Sequence, residues 1–170
     1  KPNAGKSTLI NTLLNEERMI ISDIAGTTLD AIEIPFIFKD NNFLLYDTAG
    51  ITRKSKTLST VQKFSIDSTL RTIKTTDICV FMIDAEEGIT KQDKTILNII
   101  KKSNKAFIIV INKIDKKNKT ELVELKKDLQ YFSNIIDNAS IVMISAINRD
   151  NIKKLLYTIS GVSYSIYKRY

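Results

Sequence analysis

The sequence predicts an α/β fold, a mostly parallel sheet with helices on both faces and one antiparallel edge strand. Three observations carry this. Short apolar runs of strand length alternate with longer segments of helical period. Several of those runs end directly in a polar motif, which is how an α/β sheet presents ligand chemistry at the carboxyl ends of its strands. A chain of 170 residues, 43% of them hydrophobic, is also long enough for one domain with a full core.

In chain order, the segment from Ser7 to Leu14 reads as a helix that opens just after a glycine. Residues 32–38 and 43–46 are apolar runs of strand length, and the Lys39-Asp40-Asn41-Asn42 turn between them makes the pair an antiparallel hairpin. A helix is expected near 60–74, then a buried strand over 78–83. A helix over 91–102, a strand over 106–111, a helix over 120–132 and a strand over 141–144 follow. A final helix begins near Asp150. Tyr157, Tyr164, Tyr167 and Tyr170 fall at helix-compatible spacings, so they form either a core-facing stripe or a connection into a following domain. The chain shows neither internal repeats nor a Gly/Ser-rich linker.

Composition narrows the chemistry. One Cys and no His argue against a disulfide scaffold or a His/Cys metal site, and rule out a His general base. Cys79, inside an apolar run, reads as a small core residue. No apolar run reaches membrane-spanning length, so no membrane partner is expected. The net charge of +7 invites an RNA partner, although Lys, Asn and Ile enrichment throughout the chain offers a blander cause. Two basic clusters stand out: Arg53, Lys54 and Lys56, and Lys116, Lys117 and Lys119. The second reads as solvated surface.

Three motifs in fixed order describe one site. In PNAGKS, Gly5, Lys6 and Ser7 match the second half of the P-loop pattern. Glycine there lets backbone N–H groups of Asn3, Ala4 and Gly5 close around phosphate oxygens, and the helix starting at Ser7 and Thr8 points its dipole at the same anion. Lys6 reaches the β- and γ-phosphates, and the Ser7 hydroxyl coordinates Mg²⁺. In DTAG, Asp47 ends the second strand of the hairpin as a Mg²⁺-holding carboxylate, followed by Thr48, Ala49 and Gly50, whose N–H senses the γ-phosphate. In NKID, Asp115 accepts two hydrogen bonds from the N1–H and exocyclic amine of guanine, a donor pair that adenine lacks. Asn112 and Lys113 frame the base, Lys113 by packing its stem over the ring, and Ile114 between Lys113 and Asp115 belongs to the same nucleotide-binding set. Ser145 and Ala146, after the strand over 141–144, match a further base-contacting loop by two small residues only.

These ordered motifs resemble a P-loop NTPase G domain. The string Ser22-Asp23-Ile24-Ala25-Gly26-Thr27-Thr28, with DTAGITRKSK and DAEEGITKQDK, is similar to the TrmE–Era–EngA family of bacterial P-loop GTPases over nearly the whole chain. The resemblance implies a cytoplasmic enzyme that binds GTP or GDP and hydrolyses GTP, with Lys6, Thr28 and Gly50 in the catalytic machinery. It implies that Thr27 or, by preference, Thr28 supplies a hydroxyl to Mg²⁺, and that Asn3 helps to hold a K⁺ ion that stimulates the reaction. Ile51 stands where Ras-like enzymes carry a water-orienting glutamine, a task no hydrophobic side chain performs. The family usually shows an arginine after the paired threonines, and Leu29 replaces it here.

By the same resemblance the two switches span 22–30 and 50–60, and the output is assembly of the large ribosomal subunit through that subunit or its rRNA. The first basic cluster falls in the second switch. A tRNA-modification member of the family and a GTP-sensing module with negligible turnover are the rival readings. The expected organisation is a G domain over 1–160 that lacks its first central strand, with 161–170 ending the last helix or leading into a following KH-like domain. The chain is then a fragment whose partners include other domains of the same longer protein.

Overall fold

The computed structural model of the chain describes residues 4–15, 20–21, 32–47, 71–136 and 139–168. It divides into two compact units, Lys1–Thr12 with Asp77–Tyr170, and Leu13–Thr76. Helix α1 runs over Lys6–Leu14.

The second unit holds strands β1 (Ile20–Ile21), β2 (Ile32–Phe38) and β3 (Asn41–Asp47), hydrogen-bonded as an antiparallel sheet in that order. The short β1, which the sequence pattern did not show, pairs Ile20 with Ile37 and Ile21 with Phe36. The hairpin is tighter than the four-residue turn read from the sequence. Lys39 and Asp40 alone make the turn, at φ +49° and +61°, and the ladder already closes at Phe38 and Asn41. Positive φ at both central positions matches the right-handed twist of the flanking strands. The Asn41 side-chain amide donates to the Lys39 carbonyl at 2.9 Å, which supports the left-handed pair. Across the hairpin Phe36 stacks on its direct partner Phe43 with centroids 5.1 Å apart.

The first unit holds β4 (Ile78–Asp84), β5 (Ala106–Asn112) and β6 (Ser140–Met143), a parallel sheet with β5 in the middle. Ile108, Ile109, Val110 and Ile111 are consecutive and all 0% exposed. Successive strand residues face opposite sides, so both faces of β5 are covered. Helices α2 (Lys91–Lys102), α3 (Lys119–Gln130), α4 (Ser133–Ile136) and α5 (Ile152–Tyr167) belong to this unit, and α5 lies against all three strands.

Helix α2 has the bounds its sequence announces, because Thr90 and Asp93 form a reciprocal capping box at its start. The single helix expected over 120–132 instead stops at Gln130, with Tyr131 as its cap, and resumes as α4. Of the helix expected near 60–74, residues 71–75 are described and helical.

Tyr157, Tyr164 and Tyr167 are 44%, 65% and 64% exposed, so the core-facing reading of the tyrosine stripe is overturned. Helix α5 buries Ile152, Leu155 and Leu156 instead, and Tyr170 lies outside the described residues. Cys79 is half-buried. Among the described residues, no helix is long and apolar enough to cross a membrane.

Candidate functional site

The site grows from the amino end of α1. Gly5 sits at φ +88°, and Leu9 N donates to its carbonyl to open the helix. A Cβ at Gly5 would fall 2.3 Å from Asn112 Nδ2, so both backbone conformation and space exclude a side chain. Ser7 and Thr8 in the first turn are exposed, and Lys6 is half-buried. The first turn of a helix leaves N–H groups without intrahelical acceptors, so this end presents donors and a positive dipole.

Asn112 is the hinge of the arrangement. It ends the middle strand β5 and is 2% exposed. Its Nδ2 donates to the Ala4 carbonyl at 2.9 Å, and its Oδ1 accepts from Ala146 N at 3.0 Å. One side-chain amide thereby fastens the glycine loop, the NKID loop and the Ser145–Ala146 loop together. Thr12 adds a second tie, donating its hydroxyl to the Ala146 carbonyl at 2.9 Å.

Ser145 and Ala146, the sparsest match in the sequence, are 0% and 1% exposed. The Ser145 hydroxyl donates to Asp115 Oδ1 at 2.5 Å, which orients a carboxylate that is otherwise open to solvent. Ser145 also exchanges both backbone hydrogen bonds with Asp150, closing the loop. An isolated two-residue match has no local periodicity, so only long-range contacts reveal its weight.

Lys113 takes the left-handed conformation at φ +66°. Its ammonium lies 2.5 Å from Asp84 Oδ2 and 3.8 Å from Glu86 Oε2. The hydrogen bond to Asp84 is the main cause that holds the Lys113 pKa above the ordinary lysine value, with partial burial opposing it. Asp84 was missed at the sequence level, although it ends a parallel strand as Asn112 does and the same rule singles it out.

The basic cluster after NKID is partly structural. Lys117 ion-pairs with Glu121 at 3.1 Å, and Glu121 forms the capping box of α3 with Asn118. Lys116 and Lys119 are exposed. Ile114 is half-buried and its N–H donates to the Ile144 carbonyl. Asp47 is the last residue of β3, paired in register with Ile32. Asn3, Thr27, Thr28, Leu29, Thr48, Ala49, Gly50 and Ile51 lie outside the described residues, as do Arg53, Lys54 and Lys56.

A left-handed glycine at a helix start, tied by a buried asparagine to the Ser145–Ala146 loop at the end of a parallel sheet, is the arrangement of a P-loop GTPase fold. Residues 1–113 match the family described as 50S ribosome-binding GTPase, and the chain belongs to that family. It is 46% identical over 171 residues to GTPase Der of Persephonella marina, and 43% identical over 169 residues to GTPase Der of Alkaliphilus oremlandii. These alignments cover 99% and 96% of the chain, but it spans only 38% of either relative's length. Among solved structures it is similar to Era in complex with MgGDPNP and nucleotides 1506–1542 of 16S ribosomal RNA. That likeness has a TM-score of 0.73 and 33% identity, covering 96% of this chain and 54% of that one.

Proposed function

We propose that this domain binds GTP with Mg²⁺ and cleaves the γ-phosphate, as one part of a protein acting in assembly of the large ribosomal subunit. The observation that carries the reading is the double engagement of Asn112, with Ala4 on the phosphate side and Ala146 on the base side. It draws together the glycine loop, the NKID loop and the Ser145–Ala146 loop, which are separately too short to be decisive. Family membership and the rRNA-bound Era neighbour support the ribosomal output.

In this reading the N–H groups around Ala4 and Gly5 bind phosphate oxygens, and Lys6 neutralises the β- and γ-phosphates. The exposed Ser7 hydroxyl in the first turn of α1 is a suitable oxygen ligand for Mg²⁺, with Asp47 and a switch hydroxyl from Thr28 or Thr27 completing the protein's share. Bound there, the ion offsets charge that develops on the phosphate oxygens. Gly50 senses the γ-phosphate. Asp115, oriented by Ser145, selects guanine by accepting from N1–H and the exocyclic amine. Ile51 orients no water, so Asn3 and a K⁺ ion take over part of the stabilisation that other GTPases draw from a glutamine or an arginine finger. The domain then works in the cytoplasm with the other domains of a longer chain.

The test is GTP hydrolysis at fixed Mg²⁺, comparing KCl with NaCl at equal ionic strength. Stimulation by K⁺ that disappears in Asn3→Ala is the expected result. Tight GTP binding with near-zero turnover in both salts would replace the catalytic reading with a GTP-sensing module, the alternative that Ile51 motivates.

A further inference from the structure

The geometry points to Asp84 as a positioning residue for guanine: it fixes Lys113 so that the lysine stem is a preformed wall of the base site. The inference rests on the reading of Asn112 to Asp115 as that site.

Asp84 ends β4 and is the register partner of Asn112 across the parallel ladder, which Ala85 N extends by donating to the Asn112 carbonyl at 2.9 Å. Its carboxylate is set by the backbone that follows. Oδ1 accepts from Glu86 N at 2.8 Å, and the Asp84 carbonyl accepts from Gly88 N at 2.9 Å, a turn that Gly88 closes at φ +65°. The other oxygen meets the Lys113 ammonium at 2.5 Å. The Asp84 side chain is 3% exposed and that of Lys113 is 30% exposed, so a rigid buried acceptor holds the tip of a half-open side chain.

Lysine is among the side chains with the largest rotamer entropy, and an untethered stem must be ordered each time a ligand binds. Here both ends are fixed before any ligand arrives, the backbone in a left-handed turn and the ammonium on Asp84. The methylenes between them are what a purine ring packs against. Because they contact the ring face and not its edge groups, the effect is blind to the exocyclic amine that Asp115 reads.

The experiment is a double-mutant cycle on the full chain, with GDP and IDP affinities measured by calorimetry beside thermal unfolding. IDP lacks the exocyclic amine. Asp84→Asn and Lys113→Met are each expected to weaken GDP and IDP equally, by about three- to tenfold. The double variant should bind no more weakly than Lys113→Met alone, because the acid acts through the lysine. Multiplicative losses in the double variant, or a loss confined to GDP, would overturn the inference. If Asp84→Asn does not fold, Lys113→Met still decides the matter, since unchanged affinities there overturn it as well. An unsubstituted chain that binds neither nucleotide would instead bring down the guanine-site reading itself.

Discussion

Strands β5 and β3 are both seven residues long, and both end in a residue of a nucleotide motif, Asn112 and Asp47. They are built differently. β5 is the middle strand of a parallel sheet, and its last five residues are buried without alternation. β3 is one arm of an antiparallel hairpin, with Asn41, Asn42 and Leu44 exposed and Phe43, Leu45 and Tyr46 half-buried. A strand covered on both faces has a fixed backbone at its end, so a polar residue there can be fully buried with each hydrogen-bonding atom matched. Asn112 uses this to join loops 108 and 34 residues away in sequence. The hairpin draws its order chiefly from local devices, pairing, a two-residue turn and one aromatic stack, and of its described side chains only Phe36 and Phe38 are buried.

Truncation is the sharpest way to break the comparison. Ile109→Ala in β5 should cost about 2–5 kcal/mol of unfolding free energy, because close packing on both faces resists collapse into the cavity. Leu44→Ala in β3, a residue 46% exposed, should cost no more than about 1 kcal/mol. Urea unfolding of the two variants measures the gap, and equal midpoints would contradict the account of β5.

Asn112→Ala comes next. It leaves the Ala4 carbonyl and Ala146 N without their partner in a buried site, so a loss of about 2–4 kcal/mol is expected. GDP affinity should fall with it, and titration calorimetry beside denaturant unfolding separates the two effects. Ser145→Ala should act more gently, by about three- to tenfold in GDP affinity, since it removes one charge-assisted bond that orients Asp115. Its effect on IDP should be smaller than on GDP, which a parallel titration shows.

The smallest effect concerns the cap of α3. The backbone N–H of Asn118 holds the Glu121 pKa below the ordinary glutamate value, with Lys117 as a second cause. A lowered folded pKa stabilises above the unfolded glutamate pKa, and that contribution disappears as pH falls through the folded value. Stability of Glu121→Gln should therefore be less pH-dependent than that of the unsubstituted chain in the acidic range. Thermal melts across that range give the comparison.

Much of the first unit could be read locally. Alternating strand and helix patterns placed β4, α2, β5, β6 and α5 within a few residues, and in the structure the Thr90–Asp93 capping box fixes the start of α2. Gly5-Lys6-Ser7 and Asn112 to Asp115 were recognisable because each requires particular residue types at fixed spacing. The two-residue turn at Lys39-Asp40 was not legible, since neither residue advertises positive φ as Asn-Gly would. The break at Tyr131 was equally hidden inside an uninterrupted helical pattern.

By itself, then, the sequence determined the fold class and the residue patterns of the three motifs, which depend on periodicity and spacing within a few residues. Only the tertiary structure decided how the motifs are held. The Asn112–Ala4 and Thr12–Ala146 bonds join residues 108 and 134 positions apart, and no local pattern encodes such a partner. The same is true of the exposed tyrosines of α5: spacing puts them on a helix, but burial depends on what packs against that helix. Asp84 became visible for the same reason. Its carboxylate matters because the parallel register of β4 and β5 sets it beside the NKID loop, where Lys113 reaches it.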